Sequence, residues 1–241
     1  MNIQLQILPL LSVLVLFLVA PVAIILAVSF WDYTEFSLIP DFVLTNYMEI
    51  FESGVTYSTY LNTFKFAFLG WLFTVIIGFT LAYFLAFHVR TLRWQIILFL
   101  ICTIPFWTSN IIRMIAWIPV LGRNGLMNSL LLELGVIGEP LEWLLYSDFA
   151  VILAFVHLYT LFMLVPIFNS MMRIDKSIIE AAQDMGANSL QILINVIVPL
   201  CLPGIAIGTI FVVSLIMGDF ITVQAMSGGQ SASVGLAMTN K

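Results

Sequence analysis

The sequence predicts an all-α polytopic membrane protein with five transmembrane helices. Of the 241 residues, 62% are hydrophobic and only 9% are charged, whereas a soluble domain carries about 25% charged residues. Five long stretches contain no Asp, Glu, Lys or Arg, and a helix needs roughly 20 such residues to cross a bilayer. The predicted spans are residues 7–30, 64–87, 94–112, 149–172 and 192–217.

The first predicted span stays in the mature chain because it lacks the basic start and short apolar core of a cleavable signal peptide. A polar loop at 32–60 follows, with five acids and no Lys or Arg. Within it, Thr45 and Asn46 predict the start of a short helix. That helix is expected to run to Glu52, and Gly54 predicts its end.

The later connections differ in length. Only residues 88–93 join the second span to the third, so these two spans are predicted to form an antiparallel hairpin. The segment 113–148 contains several Gly and Pro breaks, and its residues 126–134 predict a helix at the membrane interface. The polar segment 173–191 separates the fourth span from the fifth.

Basic residues predict which side faces the cytoplasm. The 88–93 turn contains two Arg, and the segment 173–191 contains Arg173 and Lys176. Both segments fall on one side if the five spans alternate in direction, whereas the loop after the first span has no basic residue. We therefore expect the N-terminus and these two segments inside, although Arg113 and Arg123 do not follow the pattern.

Several function classes are excluded by composition. Eight basic residues are scattered among thirteen acids, so no patch can follow a nucleic-acid backbone. The chain lacks the G-x-x-x-x-G-K-[ST] loop of nucleotide hydrolysis, and its two Cys and two His have no metal-ligand spacing. The predicted spans also lack the carboxylate or histidine chains of proton-coupled carriers. Active transport would therefore draw its energy from another subunit.

The segment 173–204 reads RIDKSIIEAAQDMGANSLQILINVIVPLCLPG. Ser177 and Glu180 match a capping box, which predicts a short helix from Ile178 to a stop at Gly186. Two turns of helix are unstable alone in water, so its apolar face must pack on this chain or in a partner's groove. The residues of that face are Ile178, Ala181, Ala182 and Met185.

The same segment resembles the EAA motif of ABC importer permeases, E-A-A-x(3)-G-x(9)-I-x-L-P. Glu180-Ala181-Ala182, Gly186 and Pro199 match it, while Val196 and Val198 replace Ile and Leu. Six further segments carry a second resemblance, at 46–47, 104–108, 112–113, 121–125, 218–220 and 228–229. They are similar to the spermidine/putrescine permease subfamily of the PotB type, which has a sixth membrane helix beyond the position of Lys241.

The resemblance implies one permease domain over 1–241 with the type I ABC importer permease fold, in a bacterial inner membrane. It implies a transport subunit, not an enzyme, with no cofactor of its own. ATP and Mg would be bound by partner ATPase subunits. A second related permease would complete the pathway, and a periplasmic solute-binding protein would deliver a small-molecule substrate. The residues it implies for coupling to the ATPase are Asp175, Glu180, Ala181, Ala182, Met185 and Gly186.

Candidate residues of the substrate pathway are Phe106, Trp107, Arg113 and Asp219. Asp219 is the only acid in 185–240, so it predicts either a pathway carboxylate or an interfacial residue that caps the next helix. Arg113 predicts either a substrate contact or a side chain that reaches the lipid head groups. Gly204 and Gly208 permit close helix approach, either to another subunit or within the chain.

The substrate stays open at this stage. Polyamines, opines, amino-acid derivatives, phosphonates, thiamine and ferric iron are all substrates of related permeases. The alternative function is an ATP-independent secondary carrier or channel, because apolar spans alone are equally consistent with it.

Overall fold

A computed structural model describes residues 3–34, 37–229, 231 and 233. Contacts divide the chain into two compact units, Met1–Tyr57 and Ser58–Lys241, and each is described by itself. The domain assignment over 1–241 therefore stays a prediction.

In chain order, the helices are α1 (3–28), α2 (Thr45–Glu52), α3 (Gly54–His88), α4 (Leu92–Thr103), α5 (Asn110–Ile115), α6 (Ile118–Leu121), α7 (Leu126–Glu133), α8 (Asp148–Met171), α9 (Lys176–Asp184), α10 (Ser189–Gly218) and α11 (Phe220–Ser227). The strands are β1 (Asp32–Thr34) and β2 (Ser37–Ile39). Turns of 3-10 helix cover Ile104–Trp107 and Glu142–Leu144, and π-helical turns lie within α1, α3 and α10 at Val15–Val19, Phe84–His88 and Leu193–Ile197.

The first unit consists of α1, the β1–β2 hairpin and α2. The strands are antiparallel, with Asp32 opposite Ile39. The amide of Asn46 donates to the carbonyl oxygen of Trp31 at 2.9 Å, which ties α2 to the end of α1. The predicted helix up to Glu52 is thus confirmed, whereas strands of three residues are too short to show a pattern in the sequence.

Helix α3 begins ten residues before the predicted start at residue 64. Gly54, which was predicted to end the short helix, is instead the first residue of α3. The polar residues between Gly54 and residue 64 continue the helix beyond the apolar stretch, and Thr59 and Thr63 among them are buried. Hydropathy alone therefore marks only the apolar part of this helix.

Helix α8 lies at the centre of the second unit, and α10 packs closely against it. A Cβ atom added at Gly204 would lie 2.5 Å from the carbonyl oxygen of Pro166, and one at Gly208 would lie 3.2 Å from the Cα of Met163. These glycines therefore permit close packing within the chain. The alternative that they face another subunit is wrong.

The predicted third span, 94–112, is broken. Four helices of the described chain are long and apolar enough to cross a membrane, and a fifth span exists if the bent pair Leu92–Trp107 and Asn110–Glu133 counts as one. The two members of this pair meet at 92°. Thr108 and Ser109 between them are extended, with ψ of 151° and 139°, so the helix cannot continue there.

A second break interrupts the last membrane segment. Helix α10 ends at Gly218, Asp219 is extended with ψ of 97°, and α11 resumes at Phe220. Beyond α11, the Ser231 hydroxyl donates to Asp148 Oδ1 at 2.6 Å. Because Asp148 begins α8, the chain after the break continues along the first half of α8 towards its N-terminal end.

Candidate functional site

The short helix α9 is capped by a carboxylate. Asp175 Oδ1 accepts a hydrogen bond from the backbone N–H of Ser177 at 3.0 Å, and this bond holds the pKa of Asp175 below its ordinary value. The predicted capping box of Ser177 and Glu180, with a start at Ile178, is therefore wrong. Asp175 already takes the N-cap position, so the helix begins at Lys176.

The end of α9 follows the prediction. Gly186 has a φ of +84°, a left-handed conformation that glycine adopts without steric cost. Asn188 and Gln191 then form a complete capping box at the start of α10: Gln191 N–H donates to Asn188 Oδ1 at 2.9 Å, and Asn188 N–H donates to Gln191 Oε1 at 2.8 Å. The turn between α9 and α10 is thus fixed by backbone geometry and two reciprocal bonds.

The predicted apolar face of α9 divides into two parts. Ala182 is 6% exposed and packs into the chain. Ile178 and Met185 are 44% and 82% exposed, and Ala181 between them is exposed as well. We call Ile178, Ala181 and Met185 the exposed face of α9.

Glu180 lines a cleft of about 360 Å³ together with His88 and Lys176. No hydrogen bond or ion pair joins Glu180 to another residue in the described part of the chain. The cleft also shows that the 88–93 turn and α9 lie at one end of the second unit, as the charge pattern predicts.

A cavity of about 320 Å³ lies where the two helix breaks meet. We call it the break cavity. Its lining includes Asn110 and Met114 of α5, Tyr159 of α8, and Gly218, Asp219 and Thr222 at the second break.

Asp219 accepts three hydrogen bonds in the break cavity. The Tyr159 hydroxyl and the Thr222 hydroxyl each donate to Oδ2 at 2.6 Å, and the Thr222 N–H donates to Oδ1 at 2.9 Å. Tyr159 lies about halfway along the 24-residue helix α8, about 16 Å from its first residue at 1.5 Å per residue. Asp219 therefore caps α11, as one of the two interpretations predicts, but at membrane depth and not at the interface.

Arg113 lies beside this cavity and is buried. Only 7% of it is exposed, so its guanidinium does not reach the lipid head groups. Its Nη2 donates to Asn110 Oδ1, while its Nε has no hydrogen-bond partner among the described residues. Arg113 also interacts electrostatically with Tyr159 and His157.

Phe106 and Trp107 lie elsewhere. They line a larger cavity of about 700 Å³ together with Phe162, Phe211 and Arg173. Trp107 is 86% exposed. The structure thus separates the four predicted pathway residues. Asp219 lines the break cavity, Arg113 lies behind its lining residue Asn110, and the two aromatic residues line the larger cavity.

Tyr159 is the functional candidate that the sequence did not indicate. It is one of seven tyrosines, and it lies in an apolar span where no motif marks it. Only its contact with Asp219, 60 positions further along the chain, shows its place in the site.

Comparison with known proteins identifies the relatives of the chain. No family model matches it. It is 33% identical over 223 residues to the spermidine/putrescine transport system permease protein PotB of Escherichia coli (strain K12), covering 92% of this chain and 80% of the relative. The PotB protein of Haemophilus influenzae is 30% identical over 226 residues, covering 93% and 77%.

The fold also matches solved structures. A chain of a bacterial alginate ABC transporter, in complex with an alginate-bound periplasmic protein, superimposes with a TM-score of 0.70 at 19% identity. The match covers 93% of this chain and 78% of the other. At that identity the likeness establishes the fold alone.

Proposed function

The chain belongs to the PotB family of ABC importer permeases, and we propose that it forms half of an ATP-driven import pathway for polyamines. Membership makes it the membrane-spanning subunit of a binding-protein-dependent ABC importer in the inner membrane. It is a transport subunit, not an enzyme. The specific partners, the substrate and the residues that serve them are the proposal.

The proposed docking site for the ATPase is the exposed face of α9. Three apolar side chains, Ile178, Ala181 and Met185, point away from the chain at the predicted cytoplasmic end. A groove in a cytoplasmic ATPase subunit would cover them, and the free carboxylate of Glu180 would pair with that subunit. ATP and Mg would be held by the ATPase, and its closure would move α9 and the membrane helices with it. The observation that carries the proposal is this exposed apolar face on a helix whose opposite side, at Ala182, is buried in the chain.

Gly186 gives a sharp test of docking. Gly186→Val forces a β-branched residue into a left-handed conformation, whereas Gly186→Asn suits that conformation, and a side chain at this position meets no atom within 4 Å. We expect Gly186→Val to abolish ATPase association and uptake, with the permease still inserted. Gly186→Asn should retain most of the association. Equal association of both variants would contradict the assignment, as would normal uptake by Glu180→Ala.

Asp219 is the proposed cation site. An ammonium group that loses water inside the membrane needs a negative partner, and Asp219 supplies one from the break cavity. Its three donors hold the carboxylate in a fixed position. The relatives transport spermidine and putrescine according to their names, which are cations of matching charge.

The aromatic residues of the larger cavity offer a second type of contact. The ring faces of Phe106 and Trp107 attract an ammonium group through cation–π interaction. A second related permease would close this cavity, and a periplasmic binding protein would deliver the substrate from the opposite side of the membrane. We propose that the substrate passes between these aromatic residues and Asp219.

Replacing Asp219 by Asn tests the substrate assignment. Asn keeps the shape and the acceptor for Thr222 but removes the charge, so spermidine uptake should fall at least about tenfold, or about 1.4 kcal/mol. Assembly and basal ATPase activity should remain. Glu142→Gln is the control, since Glu142 is exposed and pairs with Arg123 at 3.2 Å. Unchanged spermidine uptake by Asp219→Asn would remove Asp219 from the pathway.

A further inference from the structure

Arg113 is a buried cation that forms no ion pair with a carboxylate among the described residues. The residue is 7% exposed, and its bonded partner is the neutral amide of Asn110. Its Nε, which is fully enclosed, has no acceptor among the described residues. An uncompensated charge in this environment is costly, so some other group must balance it.

The neighbours of Arg113 do not supply that balance by direct contact. His157 accepts a hydrogen bond at Nδ1 from the indole N–H of Trp117 at 3.0 Å, which requires the neutral ring. Tyr159 uses its hydroxyl hydrogen to donate to Asp219. Both side chains therefore add no charge to the surroundings of Arg113.

Asp219 is the one carboxylate bonded to this group of described side chains. Asn110 connects Arg113 to the break cavity, because it accepts from Arg113 Nη2 and lines the cavity together with Tyr159 and Asp219. Arg113 follows the first helix break, and Asp219 lies at the second. One fixed positive charge thus lies directly behind the lining of the break cavity, and one carboxylate lies in the lining.

We propose that Arg113 is a specificity-determining residue that sets how many positive charges the break cavity accepts. This inference rests on the proposed polyamine function. When one ammonium group pairs with Asp219, the fixed charge of Arg113 is no longer balanced. It then repels each further ammonium group of the same molecule, so the energetic cost grows with the number of charges on the substrate.

The expected signature is a dependence on substrate charge. Removal of the positive charge in Arg113→Gln should favour a linear tetraamine more than a triamine, and a triamine more than a diamine. We expect the apparent KM to fall about twofold for the diamine and about tenfold for the tetraamine, in line with the addition of Coulomb terms. Arg113→Lys, which keeps the charge, should preserve the wild-type order.

The experiment uses the complete complex with its ATPase and binding protein in liposomes. Amine-stimulated ATPase activity is measured for the diamine putrescine, the triamine spermidine and the tetraamine spermine. Arg123→Gln is the matched control, because Arg123 is exposed and lies outside the break cavity. Its KM ratios should equal those of the wild type.

Equal KM changes for all three amines in Arg113→Gln would overturn the inference, and so would an Arg113→Lys variant that behaves like Arg113→Gln. If Arg113→Gln fails to assemble, the double variant with Asp219→Asn tests the charge balance directly. It should restore assembly, because both buried charges are then absent. Failure to restore it would contradict the proposed balance.

The outcomes also separate this inference from the proposed function. A wild-type complex that no amine stimulates would contradict the polyamine function. The rescue of assembly by the double variant would still test whether Arg113 balances Asp219. Stimulation of the wild type with unchanged ratios in Arg113→Gln would leave the polyamine function in place and remove only the role of Arg113.

Discussion

At the scale of single residues, Asn128 holds the segment between α6 and α8 together. It is fully buried, its amide donates to the carbonyl oxygens of Gly122 and Leu141 at 3.1 Å, and its Oδ1 accepts from Leu141 N–H at 2.8 Å. We expect Asn128→Ala to destabilise the protein by about 1–3 kcal/mol, because buried backbone groups lose their partners. Thermal unfolding in detergent measures this, with the exposed Asn124→Ala as control; equal melting temperatures would contradict the account.

Asp175 has a pH dependence of known sign. Its pKa is lowered in the folded chain by the hydrogen bond from Ser177 N–H. The stabilisation of α9 by this cap is therefore complete above the ordinary Asp pKa of about 3.9, and it is lost as pH falls through the lower pKa of the folded chain. From about pH 5 to about pH 8, ATPase association should therefore show no pH dependence that comes from Asp175. Asp175→Asn should keep association because Asn also caps, and Asp175→Ala should weaken it. Equal association of the two variants would contradict a role of the Asp175 cap in ATPase docking.

At the scale of helices, the packing of α10 on α8 depends on glycine. A Cβ at Gly204 would lie 2.4 Å from Ser170 Oγ and 2.5 Å from a backbone oxygen, so Gly204→Ala requires a shift of the helix. Overpacking of this kind costs about 1–3 kcal/mol. Gly54→Ala is the control, since nothing lies within 4 Å of that position. Thermal stability in detergent should fall only for Gly204→Ala, and a loss of equal size in both would contradict close packing.

The helices also show how far sequence reasoning reaches. Apolar stretches and capping residues predicted α2, α7, α8 and α10. Such signals are local, because they involve residues that lie close together in the sequence. The break near Ser109 stayed hidden, since 94–112 has no charge to mark it. Glu180 and Gly186 were predicted as site residues from motif spacing, and Asp219 from its rarity. The contact of Tyr159 with Asp219 was not predictable, because it joins residues 60 positions apart.

At the scale of the whole molecule, the proposed mechanism requires that α9 lie on the cytoplasmic side of the membrane. The 88–93 turn and α9 share one cleft, so both must lie on the same side of the membrane. A tag at residue 91 should therefore be inaccessible from the periplasm, whereas one near residue 130 in α7 should be accessible. Reversed accessibility would place α9 where a cytoplasmic ATPase cannot reach it.

The most direct test of the central claim is crosslinking between α9 and the ATPase subunit. Cys102 and Cys201 are first replaced by Ala, and a single Cys is then placed at Met185, which is 82% exposed, or at Ala182, which is 6% exposed. A short thiol–amine crosslinker is applied to the assembled complex in membranes. We expect Met185→Cys to crosslink to the ATPase subunit and Ala182→Cys not to. Absence of any ATPase crosslink from Met185→Cys in a transporting complex would contradict docking of the ATPase on α9.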